Sequence, residues 1–331
     1  MPQPTYDVVA IGNAIVDVLA HADDAFLVRH GCAKGAMTLV DANRAEALYG
    51  AMGPGVEISG GSAANTVAGL ASLGGKAAFI GKVRDDQLGE VYRHDLRAAG
   101  VAFETPAASS GPATGRCFIL VTPDAQRTMN TFLGAAVELN PEDVDEELIS
   151  RSKVTYLEGY LWDRPEAKEA FRKAAAAAHD AGAKVAFTLS DRFCVERWRA
   201  EFLDLIQNHV NILFANESEI LALYQVKTFE EALPRVRGHV EVAALTRSEK
   251  GSVVVKGKDV VKVLAEPIAK VVDTTGAGDL YAAGFLSGYV QGRPMAECGR
   301  RGAIAAAEII SHFGARPETS LQKLVAEKLK A

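Results

Sequence analysis

Short apolar runs recur along the chain, each closed by Gly, Pro, Asn or Asp and followed by an amphipathic stretch. Tyr6 to Ile11 ends at Gly12-Asn13 and predicts a first core strand. Ala14 to Ala20 continues with β-branched residues, interrupted by Asp17. An acid inside such a run lies on a solvated face or is held for a ligand. Met37 to Val40 predicts a short strand, and Asn43 to Tyr49 a helix. Ser59-Gly60-Gly61-Ser62-Ala63-Ala64-Asn65 is a glycine turn opening a helix of small residues. Ala77 to Ile80 reads as a buried strand and Leu88 to Ala98 as an amphipathic helix.

Between residues 105 and 135 the pattern changes. Arg116 to Thr122 and Arg127 to Phe132 predict two strands joined at Pro123-Asp124-Ala125-Gln126, where Pro and Asp favour a turn. After that, strands are expected at Val154–Leu157, Val185–Leu189, Ile212–Ala215, Val242–Leu245 and Ser252–Val255. Helices are expected at Glu166–Ala181 and Glu217–Tyr224. Alternating strands and helices argue for an α/β fold, a doubly wound and mostly parallel sheet flanked by helices. The hairpin predicts a small β-rich lid. The expected large domain covers about 1–13, 50–110 and 136–331, and the lid about 14–49 and 111–135.

Composition narrows the function classes. The 331 residues are 48% hydrophobic and 24% charged, enough for one large domain and a smaller one. A net charge of −6 with no basic run gives nucleic-acid binding little electrostatic support. Cys32, Cys117, Cys194 and Cys298 form no C-x-x-C, which fits free thiols in a reduced, cytoplasmic setting. The seven histidines are scattered and suggest no structural zinc. No apolar run reaches membrane-spanning length, and the N-terminus lacks a secretory pattern, so no membrane partner is expected.

The strongest chemical signal is Asp273-Thr274-Thr275-Gly276-Ala277-Gly278-Asp279. It follows the apolar run Ile268 to Val272 and precedes Leu280 to Leu286, which predicts strand, glycine turn, helix. Gly276 and Gly278 permit close backbone approach, and a helix start suits an anion such as phosphate. Asp279 beside it could take a hydroxyl proton during phosphoryl transfer, or only stabilise the helix start. No G-x-x-x-x-G-K-[ST] occurs, and no G-x-G-x-x-G follows the first strand.

Together, Gly60-Gly61 to Asn65 and Asp273 to Asp279 resemble the two signatures of the ribokinase-like (PfkB) carbohydrate and nucleoside kinases. Asn216-Glu217-Ser218-Glu219 resembles that family's N-x-x-E motif. The resemblance implies Asp279 as catalytic base and Gly276, Ala277 and Gly278 as an anion hole. It implies ATP and Mg²⁺, the ion held through water by Asn216 and Glu219, although these two residues also spell a helix capping box. Asn13, Asp17, Gly60, Gly61 and Asn65 match acceptor-binding positions. Thr246, Ser248 and Gly251 match the nucleotide-binding turn, with Ser248 where the family has glycine, and Thr275 and Gly278 extend that set. Asp273, Thr275, Ser311 and Gly314 match a site for K⁺. The resemblance leaves a monomer and a homodimer equally open.

Within the family the finer resemblance is to the adenosine kinases, through residues 113–136, Tyr156 to Tyr160, and Asn211 to Glu219. It implies that Tyr160 packs on a purine, with Cys117, Phe132 and Leu133 completing an apolar slot, and that Arg127 reaches the phosphoryl group. The expected activity is 5′-phosphorylation of a purine nucleoside, adenosine foremost. A kinase of ribose, fructose or a sugar acid is the alternative. A noncatalytic nucleoside sensor is a third reading, against which an intact Asp279 argues.

Overall fold

A computed structural model describes residues 4–124 and 126–330. Ala125, in the expected hairpin turn, lies outside the described residues.

Strand formation follows the apolar runs. In chain order the strands are β1 (Tyr6–Ile11), β2 (Ile15–His21), β3 (Met37–Leu39), β4 (Val56–Gly60), β5 (Ala77–Ile80), β6 (Val101–Phe103) and β7 (Gly115–Val121). They continue as β8 (Arg127–Phe132), β9 (Ser152–Glu158), β10 (Lys184–Thr188), β11 (Ile212–Asn216), β12 (Val242–Thr246), β13 (Ser252–Lys256) and β14 (Asp259–Val263). Nine form one sheet in the order β14-β13-β12-β11-β10-β9-β1-β5-β6. From β12 to β6 every pairing is parallel, while β13 and β14 fold back antiparallel. This is the expected α/β fold: buried strands with cores on both faces, as a parallel sheet requires. The sheet order reverses beside β1, and ligands in open α/β sheets bind beyond the strand C-termini near such a point.

The other five strands form a smaller sheet, β3-β8-β7-β2-β4. Its central strands alternate. Ile15, Leu19, Cys117, Ile119 and Met129 share one apolar cluster, while Val16, Val18, Phe118, Leu120 and Phe132 join the core on the other side. Register aligns Ile58, Asp17, Cys117, Thr131 and Leu39 in one row across all five strands. Asp17 is thus a carboxylate set into an apolar face.

Two expectations need correction. The expected large domain includes 50–110, yet β4 within that segment pairs with β2 in the smaller sheet. The run Ile268 to Val272 forms no strand. Pro267 before it has no N–H to give a ladder, and Val272 N–H donates to the Ile310 carbonyl at the end of the helix Met295–Ile309. No helix among the described residues is long and apolar enough to cross a membrane.

Candidate active site

A cavity of about 940 Å³ runs between the two sheets and along the C-terminal strand ends. Its two ends differ in chemistry, and Asp279 lies on its wall.

The helix Ala277–Tyr289 starts at Gly276, whose φ of 77° is left-handed and favours glycine. A Cβ there would stand 2.9 Å from the Ala315 Cβ. Ala277 N–H reaches the Thr274 carbonyl at 3.3 Å. The N–H groups of Gly278 and Asp279 have no acceptor among the described residues. In front of Gly278 there is open space for a Cβ or for a ligand. The turn therefore presents unpaired donors and a helix dipole to the cleft.

The Asp279 carboxylate is held from the helix Ser62–Ser72. Ser62 Oγ donates to it at 2.7 Å and Asn65 Nδ2 at 2.9 Å. Burial pushes its pKa up, against the lowering by these donors and by Arg127 and Arg316. Gly61 lets that helix begin: its φ is 91°, and a Cβ would strike the Asn13 carbonyl.

Asp17 is 5% exposed, and no side-chain or main-chain group among the described residues donates to it. Burial raises its pKa to about 7, partly countered by Arg316 and reinforced by Asp279. Gly60 lies against this carboxylate, where any Cβ would collide. Asn13 is equally poised. Its Nδ2 donates to Glu158 at 2.8 Å, its buried Oδ1 has no partner among the described residues, and the residue lines the cavity. Asp17 and Asn13 Oδ1 are two acceptors awaiting two donors.

The wall beyond them is apolar, formed by Ile15, Leu39, Cys117, Ile119, Met129 and Leu133. Tyr160 and Phe193 also line the cavity. Burial pushes the Cys117 thiol and the Tyr160 phenol well up, so both are neutral. Arg127 also lines the cavity. Phe132 does not join this wall. Strand alternation puts Arg127, Met129 and Thr131 on the cavity face, and Phe132 packs into the opposite core.

At the other end lie Thr246, Ser248, Gly251, Ala265, Ile268 and Ala303. Ser248, where a glycine was expected, takes a left-handed φ of 51°, keeping the backbone shape at the cost of some strain. Gly251 has φ 82° and no room for a Cβ beside the Val263 carbonyl. Asn216 caps the helix Glu217–Tyr224, with Glu219 completing a capping box. Both Glu219 oxygens take Asn216 donors, yet the residue lines the cavity. Burial raises its pKa to about 7, and the like charge of Asp191 adds to the rise. Asp273 receives Thr275 N–H, Thr275 Oγ1 and Gly314 N–H, tying the turn to the C-terminal loop. Ser311 Oγ donates instead to the Glu308 carbonyl. Among the described residues no three His, Cys, Asp or Glu side chains cluster as a metal site.

Two contributors escape a reading of the sequence. Glu158, 1% exposed, accepts from Asn13 and from the Ala63 N–H at 2.7 Å, and burial lifts its pKa to about 7. An acid closing an apolar strand was its only signal. Arg316, in the C-terminal loop, donates to Asn65 and Ser59.

The sequence profile of the pfkB family carbohydrate kinases matches residues 40–322. The fold is similar to that of adenosine kinase from Sinorhizobium meliloti, with 55% identity, 98% of this chain and 99% of that chain covered, and a TM-score of 0.93. It is equally similar to a probable sugar kinase from Rhizobium etli, with 51% identity, 99% and 100% covered, and a TM-score of 0.95. An ATP-dependent ribose-1-phosphate kinase of Halopiger xanaduensis is 32% identical over 69% of this chain and 72% of its own length. With that profile over most of its length and two solved relatives covered nearly end to end, the chain belongs to the pfkB family of carbohydrate kinases, phosphotransferases that use ATP and act on a hydroxyl acceptor.

Proposed function

We propose that the protein is an ATP-dependent nucleoside kinase that phosphorylates the 5′-hydroxyl of a purine nucleoside, adenosine foremost. One observation carries this reading. Asp279 stands beside two unpaired main-chain donors and shares one cavity with Asp17 and Asn13, whose acceptors lack donors among the described residues, and with an apolar wall that includes Tyr160.

Asp17 and Asn13 Oδ1 take the two donors of a ribose diol, since an ionised carboxylate and an amide oxygen accept only. The base lies against the Cys117 and Ile119 wall, with Tyr160 across it. An apolar slot with few polar anchors suits a purine better than a free sugar. The similarity to the Sinorhizobium adenosine kinase supports the same choice.

Asp279 accepts the 5′-hydroxyl proton as that oxygen bonds to the γ-phosphorus, and the bond from phosphorus to the ADP oxygen breaks. The raised pKa makes Asp279 a better proton acceptor near neutrality. The N–H groups of Gly278 and Asp279 face the developing charge without reorganising. Arg127 adds a positive charge from the smaller sheet. Thr246, Ser248 and Gly251 shape the nucleotide end. Glu219, a buried carboxylate on the cavity wall, fits a water-mediated share in holding Mg²⁺, with Asn216 beside it. That ion would screen the triphosphate charge.

The test is ADP release with adenosine, inosine, guanosine, ribose and fructose as acceptors. A kcat/KM for adenosine at least tenfold above every sugar supports the reading. Higher turnover of ribose or fructose would replace it with a sugar kinase.

A further inference from the structure

Arg316 follows the Gly314-Ala315 turn and reaches segments 251 and 257 residues earlier. Its Nη1 donates to Asn65 Oδ1, and its Nη2 to the Ser59 carbonyl and, at 2.9 Å, to Ser59 Oγ. Its Nε is buried without a partner among the described residues. No carboxylate among the described residues lies within ion-pair distance of the guanidinium. Arg316 is not among the residues that line the cavity. It stands behind the wall that carries Asn65.

A primary amide has one accepting end and one donating end. Guanidinium donates only. With Asn65 Oδ1 held by Arg316, Asn65 Nδ2 must face Asp279, and it does so at 2.9 Å. Turned over, the amide would set donor against donor at Arg316 and acceptor against carboxylate at Asp279. Asn65 is 4% exposed, so water cannot easily repair either fault.

We propose that Arg316 is a positioning residue for phosphoryl transfer: it locks the Asn65 amide so that Nδ2 aims the Asp279 carboxylate at the acceptor hydroxyl. This rests on the reading of Asp279 as the base. Arg316 also fastens Ser59 of β4, so the lock joins the smaller sheet, the Asn65 helix and the C-terminal loop in one place.

The experiment measures ADP release with adenosine and MgATP for Arg316→Gln, Arg316→Lys, Asn65→Ala, Arg316→Gln with Asn65→Ala, and Asp279→Asn. Thermal melting identifies the folded variants. Arg316→Gln should lower kcat about 10- to 100-fold, the scale of a small misplacement of a reacting group. KM for ATP should stay within about twofold, because Arg316 bonds Asn65 and Ser59 and makes no hydrogen bond to the residues at the Thr246 end of the cavity. Arg316→Lys should recover part of the loss, and it gives the same reading if the glutamine variant does not fold. In the Asn65→Ala background the further change at Arg316 should cost clearly less than it does alone, because the Asn65 route is already cut and only the direct effect of its charge on Asp279 and Asp17 remains. Wild-type kcat in Arg316→Gln would overturn the proposal, as would an equal loss with and without Asn65. Full activity in Asp279→Asn would instead remove the base on which it rests.

Discussion

Asp17→Asn should make the protein more stable while disabling its acceptor site. The Asp17 carboxyl goes from an ordinary 3.8 in the unfolded chain to about 7 in the folded one. The folded state therefore binds this proton more tightly than the unfolded state. Between about pH 4 and 7 the unfolded chain releases it first, so Asp17 makes stability fall as pH rises, with the full cost present above pH 7. About three pH units at 1.36 kcal/mol each set an upper bound of about 4 kcal/mol at pH 8. Asparagine removes the charge and keeps the shape beside Gly60. Its new N–H groups need partners, which takes back about 1 kcal/mol. Urea unfolding at pH 5 and pH 8 should show the variant about 1–3 kcal/mol more stable at pH 8, and that gain shrinking towards pH 5. Acceptor KM should rise at least tenfold with the loss of a charge-assisted hydrogen bond. A variant no more stable than wild type at pH 8, with the same pH slope, would refute the argument that Asp17 is held unpaired for a ligand.

Other consequences follow from single contacts. Gly276→Ala forces a Cβ onto a left-handed residue 2.9 Å from Ala315, and should cost about 1–2 kcal/mol in urea unfolding; no loss would mean the turn relaxes freely. Glu219→Gln can keep the capping box, so melting should change little while half-saturating Mg²⁺ rises several-fold; an unchanged Mg²⁺ dependence would remove Glu219 from that role. The acid limb of kcat/KM should lie above the ordinary aspartate range, because both Asp17 and Asp279 are raised and Asp279 must be ionised to act; a limb at the unperturbed aspartate value would contradict this.

Local features were legible because each announces itself within a few residues. The turn at Gly276 and the helix after it follow from glycine freedom and a run of small apolar residues. The capping box at Asn216 follows from one four-residue spacing. What could not be read depended on distant partners. Phe132 looked like a pocket aromatic, but its face is set by the register of β8 against β7. Ile268 to Val272 has a strand's composition and no strand to pair with, so it lines the nucleotide end of the cleft instead. β4 is short and follows a Gly/Pro-rich stretch, and only its pairing with β2 places it in the smaller sheet. Glu158 and Arg316 act through Asn13 and Asn65, and no sequence spacing links either pair.

The proposed chemistry stands or falls on Asp279. With adenosine and MgATP, ADP release by Asp279→Asn should fall at least about 100-fold, the low end for a positioned base, while ATP binding measured by calorimetry is retained. Turnover at the wild-type rate in a folded Asp279→Asn variant would contradict it.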